Sequence, residues 1–147
     1  MSGYFEVGIY RAKTPQNVGT LWRSAYQLGA AGIFTIGHRY GHQVSDTLNT
    51  PHNIPLRQHD DWAAFMAARP HGAKLVGIEM GGVALSEFKH PPLAVYLLGA
   101  EDTGLPPHVL AACQSVVYIE AARTDSYNVA VAGSLVMYHR LLQRWPK

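Results

Sequence analysis

Three short segments hold residues whose types and spacing suit chemistry on a bound ligand. In TPQNVGTLWRSAYQLGA (14–30), Asn17 is a natural helix N-cap, and Gly19 precedes Arg23 by four residues, one turn beneath it on the same helix face. The guanidinium therefore overhangs a gap, and Thr20, Ser24 and Gln27 continue the polar face away from the apolar stripe of Val18, Leu21, Trp22, Ala25 and Leu28. A solvated Arg on an amphipathic helix has the same pattern, so this segment leaves both readings open. In YLLGAEDTGLPP (96–107), a buried apolar run breaks at Gly99, places Glu101 and Asp102 straight after the break, and stops again at Gly104 and Pro106. A residue without Cβ lets a bound molecule approach the backbone. Equally, an acidic pair there favours the N-terminus of the helix that follows. In TDSYNVAVAGS (124–134), Ser126 or Asn128 can cap a last helix whose small residues pack closely.

The elements that must position these residues follow from the hydrophobic pattern. FEVGIY (5–10), GIFTIG (32–37), KLVGIE (74–79), LAVYLL (93–98) and SVVYIE (115–120) are short runs bounded by Gly, Pro or polar residues, the appearance of strands in a sheet covered on both faces. Helical spacing lies between them, ending at Gly29 after the first helix and before Pro70 after Trp62, Phe65, Met66 and Arg69. The longest helix is expected from about Ser126 to Trp145. Strands alternating with helices predict an α/β domain with a mainly parallel sheet covered by helices. Residues 38–57 form a long polar stretch, and a loop of that length inside a compact domain is more often functional than idle.

Composition narrows the classes further. The 147 residues, 48% of them hydrophobic, suit one domain spanning 1–147. No apolar run is long enough for a membrane span, and the first residues lack a signal-peptide pattern, so a cytoplasmic protein is expected. The single Cys113 cannot form an internal disulfide and reads as a core residue. A net charge of +2 permits a polyanionic partner without demanding one. Neither G-x-G-x-x-G after a strand nor GK[ST] is present, which removes the dinucleotide and P-loop readings. Eight histidines invite a metal, but no Cys partner or tight carboxylate cluster accompanies them, and no metal is expected.

Taken in order, the three segments resemble the SpoU (TrmH-type) RNA 2'-O-ribose methyltransferases of the SPOUT class. Asn17, Gly19 and Arg23 match the first motif of that family, and Leu98, Gly99, Glu101, Gly104 and Leu105 match the second. Ser126, Asn128, Val129, Val131 and Ala132 match the third, with Tyr127 in place of the usual Leu and Ala130 in place of the usual second Ser. The resemblance implies a trefoil-knotted fold, a homodimer, and S-adenosylmethionine held by the loops Gly77 to Gly82, Gly99 to Gly104 and Ile119 to Val129. Ile78, Glu79, Met80, Gly99, Gly104, Ile119, Ser126, Asn128 and Val129 are then the expected cofactor contacts. It further implies a catalytic Arg23, with Glu101, Asn17 and Asn128 orienting it and the loops, and Ser126 touching substrate or cofactor.

A ribose 2'-OH is a poor nucleophile while a sulfonium methyl is already activated, so the task is in-line positioning plus help with one proton. A guanidinium keeps its proton at ordinary pH, which suits gripping an adjacent phosphate and polarising the hydroxyl better than acting as a base. Arg39, Tyr40, His42, His52 and Arg57 suit an RNA path, since phosphate contacts and base stacking need such groups, and suit an ordinary solvated loop equally well; the resemblance adds Arg23 to the RNA contacts. The expected substrate is tRNA in preference to rRNA. The alternative is a non-catalytic RNA-binding module on the same scaffold.

Overall fold

The structure is a computed structural model that describes residues 3–37, 54–100, 103–124 and 126–144. In chain order its elements are β1 (Tyr4–Tyr10), α1 (Pro15–Leu28), β2 (Gly32–Ile36), β3 (Leu56–His59) and α2 (Trp62–Ala68). After these come β4 (Lys74–Ala84), a 3-10 turn (Leu85–Glu87), β5 (Leu93–Gly99), α3 (Pro107–Ala112), β6 (Ser115–Tyr118) and α4 (Val129–Arg144). The six strands form one sheet in the order β3-β2-β1-β5-β4-β6, and every pairing is parallel.

Five strands are expected from the sequence and six are found. The addition is β3, LRQH (56–59), which begins in the last two residues of the polar stretch and runs past its end. It lies at the sheet margin with only β2 beside it, and an edge strand needs few apolar residues to hold its place. The central strands show the opposite pattern. Ala94 to Leu98 of β5 are each no more than 2% exposed, because both faces of this strand are covered.

Helices α1 and α4 cover one face, where Leu21, Trp22, Val136 and Met137 meet Val7, Ile9, Tyr96 and Leu98. Helices α2 and α3 cover the other, with Phe65 and Val109 against Phe34, Leu75, Val95 and Leu97. Helix α1 starts at Pro15 after Thr14, so Asn17 is not the N-cap expected from the sequence but an interior residue of the first turn. Proline at the first turn dictates this, since its missing N–H costs nothing there. Gly29, at φ 94, ends the helix as expected.

At the amino edge, α4 is tied down by Arg140, only 1% exposed. Its guanidinium donates to the carbonyls of Pro91 (2.7 Å) and Pro92 (2.9 Å) and to the Tyr96 hydroxyl (3.1 Å), and lies 4.7 Å from the Phe5 ring centre. That set of acceptors is what makes a buried cation tolerable. The same Tyr96 hydroxyl is 2.6 Å from Nδ1 of His90, whose Nε2 lies 2.8 Å from Nδ1 of His139. Burial first, then the positive charge of His139 and Arg140, pushes the His90 imidazole down to about 3, so it stays neutral. Among the described residues, no helix is long and apolar enough to cross a membrane.

Candidate active site

Ligands of open α/β sheets sit beyond the carboxyl ends of the strands, and here the ends of β4, β5 and β6 with the start of α4 enclose a cleft of about 430 Å³. That is the size of a small-molecule site. The first wall comes from β4, where Ile78 and Val83 both pair with Val117, so Glu79 to Gly82 leave the ladder and the strand then resumes to Ala84. Ile78, Glu79 and Met80 of this excursion line the cleft. The sequence pattern ends the strand at Glu79, because the two glycines at 81 and 82 hide its continuation.

The second wall is the turn from Gly99 to Gly104, closed by a hydrogen bond of 2.9 Å from the Gly104 N–H to the Ala100 carbonyl. A Cβ on Gly99 would lie 2.4 Å from the Gly104 carbonyl carbon. The sequence reading made this glycine a space for the bound molecule, whereas the atom a side chain strikes belongs to the loop itself. Gly104, at φ +66, turns the chain so that the Leu105 N–H donates to Glu79 Oε2 at 2.8 Å, while Oε1 accepts from the Met80 N–H at 3.1 Å. One half-buried carboxylate therefore fastens the first wall to the second.

The third wall runs from Tyr118 to Val129. Tyr127 donates from its hydroxyl to the Glu120 carbonyl at 2.7 Å and closes the segment on itself, a bond that Leu at this position has no atoms to make. Asn128 caps α4, its Oδ1 accepting from the N–H groups of Ala130 (2.9 Å) and Val131 (3.2 Å). Its Nδ2 donates to Asn17 Oδ1 at 3.0 Å. Through this bond Asn17, within α1 rather than at its cap, joins the first motif to the third.

Of the cofactor contacts expected from the resemblance, Ile78, Glu79, Met80, Gly99, Gly104, Ile119, Ser126 and Val129 line the cleft, while Asn128 supports it from the cap. Leu98, Ala100, Thr103, Tyr118, Tyr127 and Ala132 line it as well; Ala100, Thr103 and Tyr127 fall within the expected loops and Leu98 and Ala132 within the matched motifs, so Tyr118 alone lies outside the expectation. Tyr118 had a signal, since it ends a strand at the ligand edge. Arg23 is exposed on α1, about 9 Å along the axis from Asn17, and is not a wall of the cleft. Arg57 pairs with the buried Glu6 at 3.4 Å, which draws its guanidinium toward the amino ends of the strands, away from the cleft. Glu101, Arg39, Tyr40, His42 and His52 lie outside the described residues. Cys113 is half-buried beside Gly77, and burial pushes its thiol up to about 11, as befits a packing residue.

An all-parallel sheet covered by helices on both faces, with three loops around a ligand-sized cleft at its carboxyl edge, defines an α/β domain of the covered-sheet class. The family model of the SpoU rRNA Methylase family matches residues 4–138, and the chain belongs to that family. It is 27% identical over 146 residues to the 23S rRNA (uridine(2479)-2'-O)-methyltransferase of Streptomyces viridochromogenes, a match covering 91% of this chain and 51% of that one. The crystal structure of an AdoMet-bound rRNA methyltransferase from Sinorhizobium meliloti superposes with a TM-score of 0.84 at 25% identity, over 99% of this chain and 59% of that one. A structure concerned with 2-OH methylation of C/U34 on tRNA superposes with a TM-score of 0.83 at 29% identity, over 97% of this chain and 92% of that one. The chain thus spans about half the length of the curated relative it matches.

Proposed function

We propose that this protein transfers the methyl group of S-adenosylmethionine to a ribose 2'-OH of RNA, with tRNA as the substrate. The observation that carries the reading is one ligand-sized space lined by the second and third motif segments, with Glu79 fastening its first wall to its second and the cap residue Asn128 of the third segment bonded to Asn17 of the first. Its walls suit the cofactor: Ile78, Leu98, Ile119 and Val129 offer apolar surface for a purine, and the Glu79 carboxylate complements a cationic ligand. Bound there, the cofactor supplies an activated methyl group on a sulfonium. Ser126 and the backbone of 99–104 hold it, and Asn17 and Asn128 fix the third wall. Arg23 grips a phosphate of the RNA and polarises the 2'-OH, whose proton passes to solvent as the oxygen takes the methyl and the C–S bond breaks to leave a neutral thioether. Glu101 orients that guanidinium. Support for tRNA comes from the likeness to the C/U34 structure, which runs through nearly the whole of both chains.

The reading includes a homodimer and the trefoil knot of the three loops. Val131, Leu135, Tyr138 and Leu142 form an exposed stripe along α4, and Tyr26, one turn from Arg23 on α1, is 49% exposed. An apolar face of this kind calls for a partner surface, and Arg23, which does not line its own cleft, then serves the partner's. The reading also includes a cytoplasmic location, where such RNA substrates are met. The test is transfer from methyl-labelled cofactor to total RNA of cells lacking the protein, followed by mapping of the ribose-methylated nucleotide. A labelled 2'-O-methyl nucleotide in tRNA is expected. RNA binding without transfer identifies a non-catalytic module instead, and label confined to rRNA overturns the tRNA assignment.

A further inference from the structure

Beside the cleft, the carboxyl edge carries a second assembly that methyl transfer leaves unused. Tyr10 ends β1 directly opposite Gly99 in the β1–β5 register, about 4.8 Å away at ordinary strand spacing. Its ring meets those of Trp62 and His108 edge-on, each at 6.3 Å between centres, and these two meet each other at 6.0 Å. Three elements thus bring three rings to one point. Over it lies Arg11, whose guanidinium carbon is 5.6 Å from the Tyr10 ring centre. Tyr10 is buried and Trp62 half-buried, but His108 and Arg11 are exposed, so the assembly opens to solvent on their side.

Arg11 is also the one non-glycine residue with positive φ among the described residues, at 56°. Its N–H donates to the Ile36 carbonyl at 2.8 Å, and its Cγ packs on Gly37, where an added Cβ would lie 3.1 Å away. A left-handed conformation strains an L-residue, and glycine adopts it without that cost. Strain of this sort, retained by a cation over an aromatic ring at a ligand edge, points to a use. The nearby acid Asp61 is engaged in capping α2 through Ala64, 2.8 Å away.

Resting on the methyltransferase reading above, we infer that Arg11, His108 and the open side of Trp62 stack an unpaired base of the substrate RNA, next to the nucleotide whose ribose enters the cleft. Guanidinium and ring planes stack on bases of any sequence, and only an unpaired base offers its face. The cofactor's adenine is not the occupant, because none of these residues belongs to the cleft walls.

The test uses Arg11→Gly, Arg11→Lys and His108→Ala in the full chain. Fluorescence anisotropy follows a labelled single-stranded oligoribonucleotide of mixed sequence, and the same strand annealed to its complement. Arg11→Gly should keep or raise Tm, because glycine occupies that φ without strain, yet weaken single-strand binding about 10-fold, the loss expected for one stacked base. His108→Ala should lose a similar factor, Arg11→Lys should lose most of it, and duplex binding and cofactor titration should stay within twofold. Unchanged single-strand binding in Arg11→Gly and His108→Ala, an equal loss on the duplex, or a lower Tm in Arg11→Gly overturns the inference. Methyl transfer by the unaltered chain separates the two readings. If transfer occurs and the variants bind like wild type, only the base subsite falls; if the unaltered chain neither binds nor methylates RNA, both fall.

Discussion

The two halves of the carboxyl edge are finished in different ways. On the β5–β4–β6 side the chain leaves the strands in loops that are fastened at the level of the backbone, by Glu79 to Leu105 and Met80 and by Asn128 to Asn17 and the start of α4. On the β3–β2–β1 side the strands end level, with the Arg11 N–H on the Ile36 carbonyl and the Gly37 N–H on the His59 carbonyl, and rings cover the ends. The first half makes an enclosure and the second a surface. An enclosure depends on a few polar bonds whose loss opens it, while a surface of rings loses contact area piece by piece.

The largest effect should come from a residue outside the enclosure. Arg23→Ala is expected to lower single-turnover methyl transfer about 100-fold or more with cofactor affinity nearly unchanged, the mark of an interaction made mainly in the transition state. Lys should rescue little, because it lacks the planar fork. Full activity in the alanine variant would return Arg23 to the role of a solvated helix residue.

A matched pair of cuts sharpens the contrast between the halves. Glu79→Ala leaves the N–H groups of Leu105 and Met80 without their acceptor, and cofactor affinity measured by calorimetry should fall about 10-fold, in line with ~1–3 kcal/mol for an orphaned donor. Asp61→Ala removes the cap of α2 on the other half, and should cost about 1 kcal/mol of stability with cofactor affinity unmoved. Equal losses of affinity in the two variants would erase the distinction.

The smallest effect is one of pH at the amino edge. His90 is held down to about 3 in the folded chain, so below its ordinary value near 6.5 the unfolded chain takes up a proton that the folded chain refuses. Stability is complete above that pH and declines as pH falls toward 3. Thermal melts of His90→Gln against the unaltered protein should show a shallower decline over this window; parallel curves would mean that another group carries it.

The sequence made the long, strongly patterned elements readable. β5 and the α1 stripe announce themselves because burial on both faces, or on one stripe, leaves a repeating apolar signature. β3 escaped notice because an edge strand of LRQH carries none. The cleft residues in the motif segments were legible as types at fixed spacing, yet the partner of each was not. That Asn128 meets Asn17 across 111 positions, or that Glu79 receives the Leu105 N–H, depends on which loops the strand order brings together. At Gly99 the residue type points to space for a bound molecule, but a sequence cannot show that the nearest obstacle to a side chain there is the loop's own backbone.

Parallel pairing has a consequence for how the protein comes into being. The walls of the cleft are contributed by residues 78–80, 98–104 and 118–132, so the last of them, Val129 and Ala132, follow every strand of the sheet in order of synthesis. A nascent chain that ends before them has no closed pocket, and it also lacks α4, one of the two helices that cover one face of the sheet. The ligand therefore cannot nucleate the early stages and stabilises only the finished state, by mass action on a molecule already folded. Cells poor in that ligand should hold normally assembled but less heat-resistant protein, a difference that appears in melting curves of lysates and not in yield.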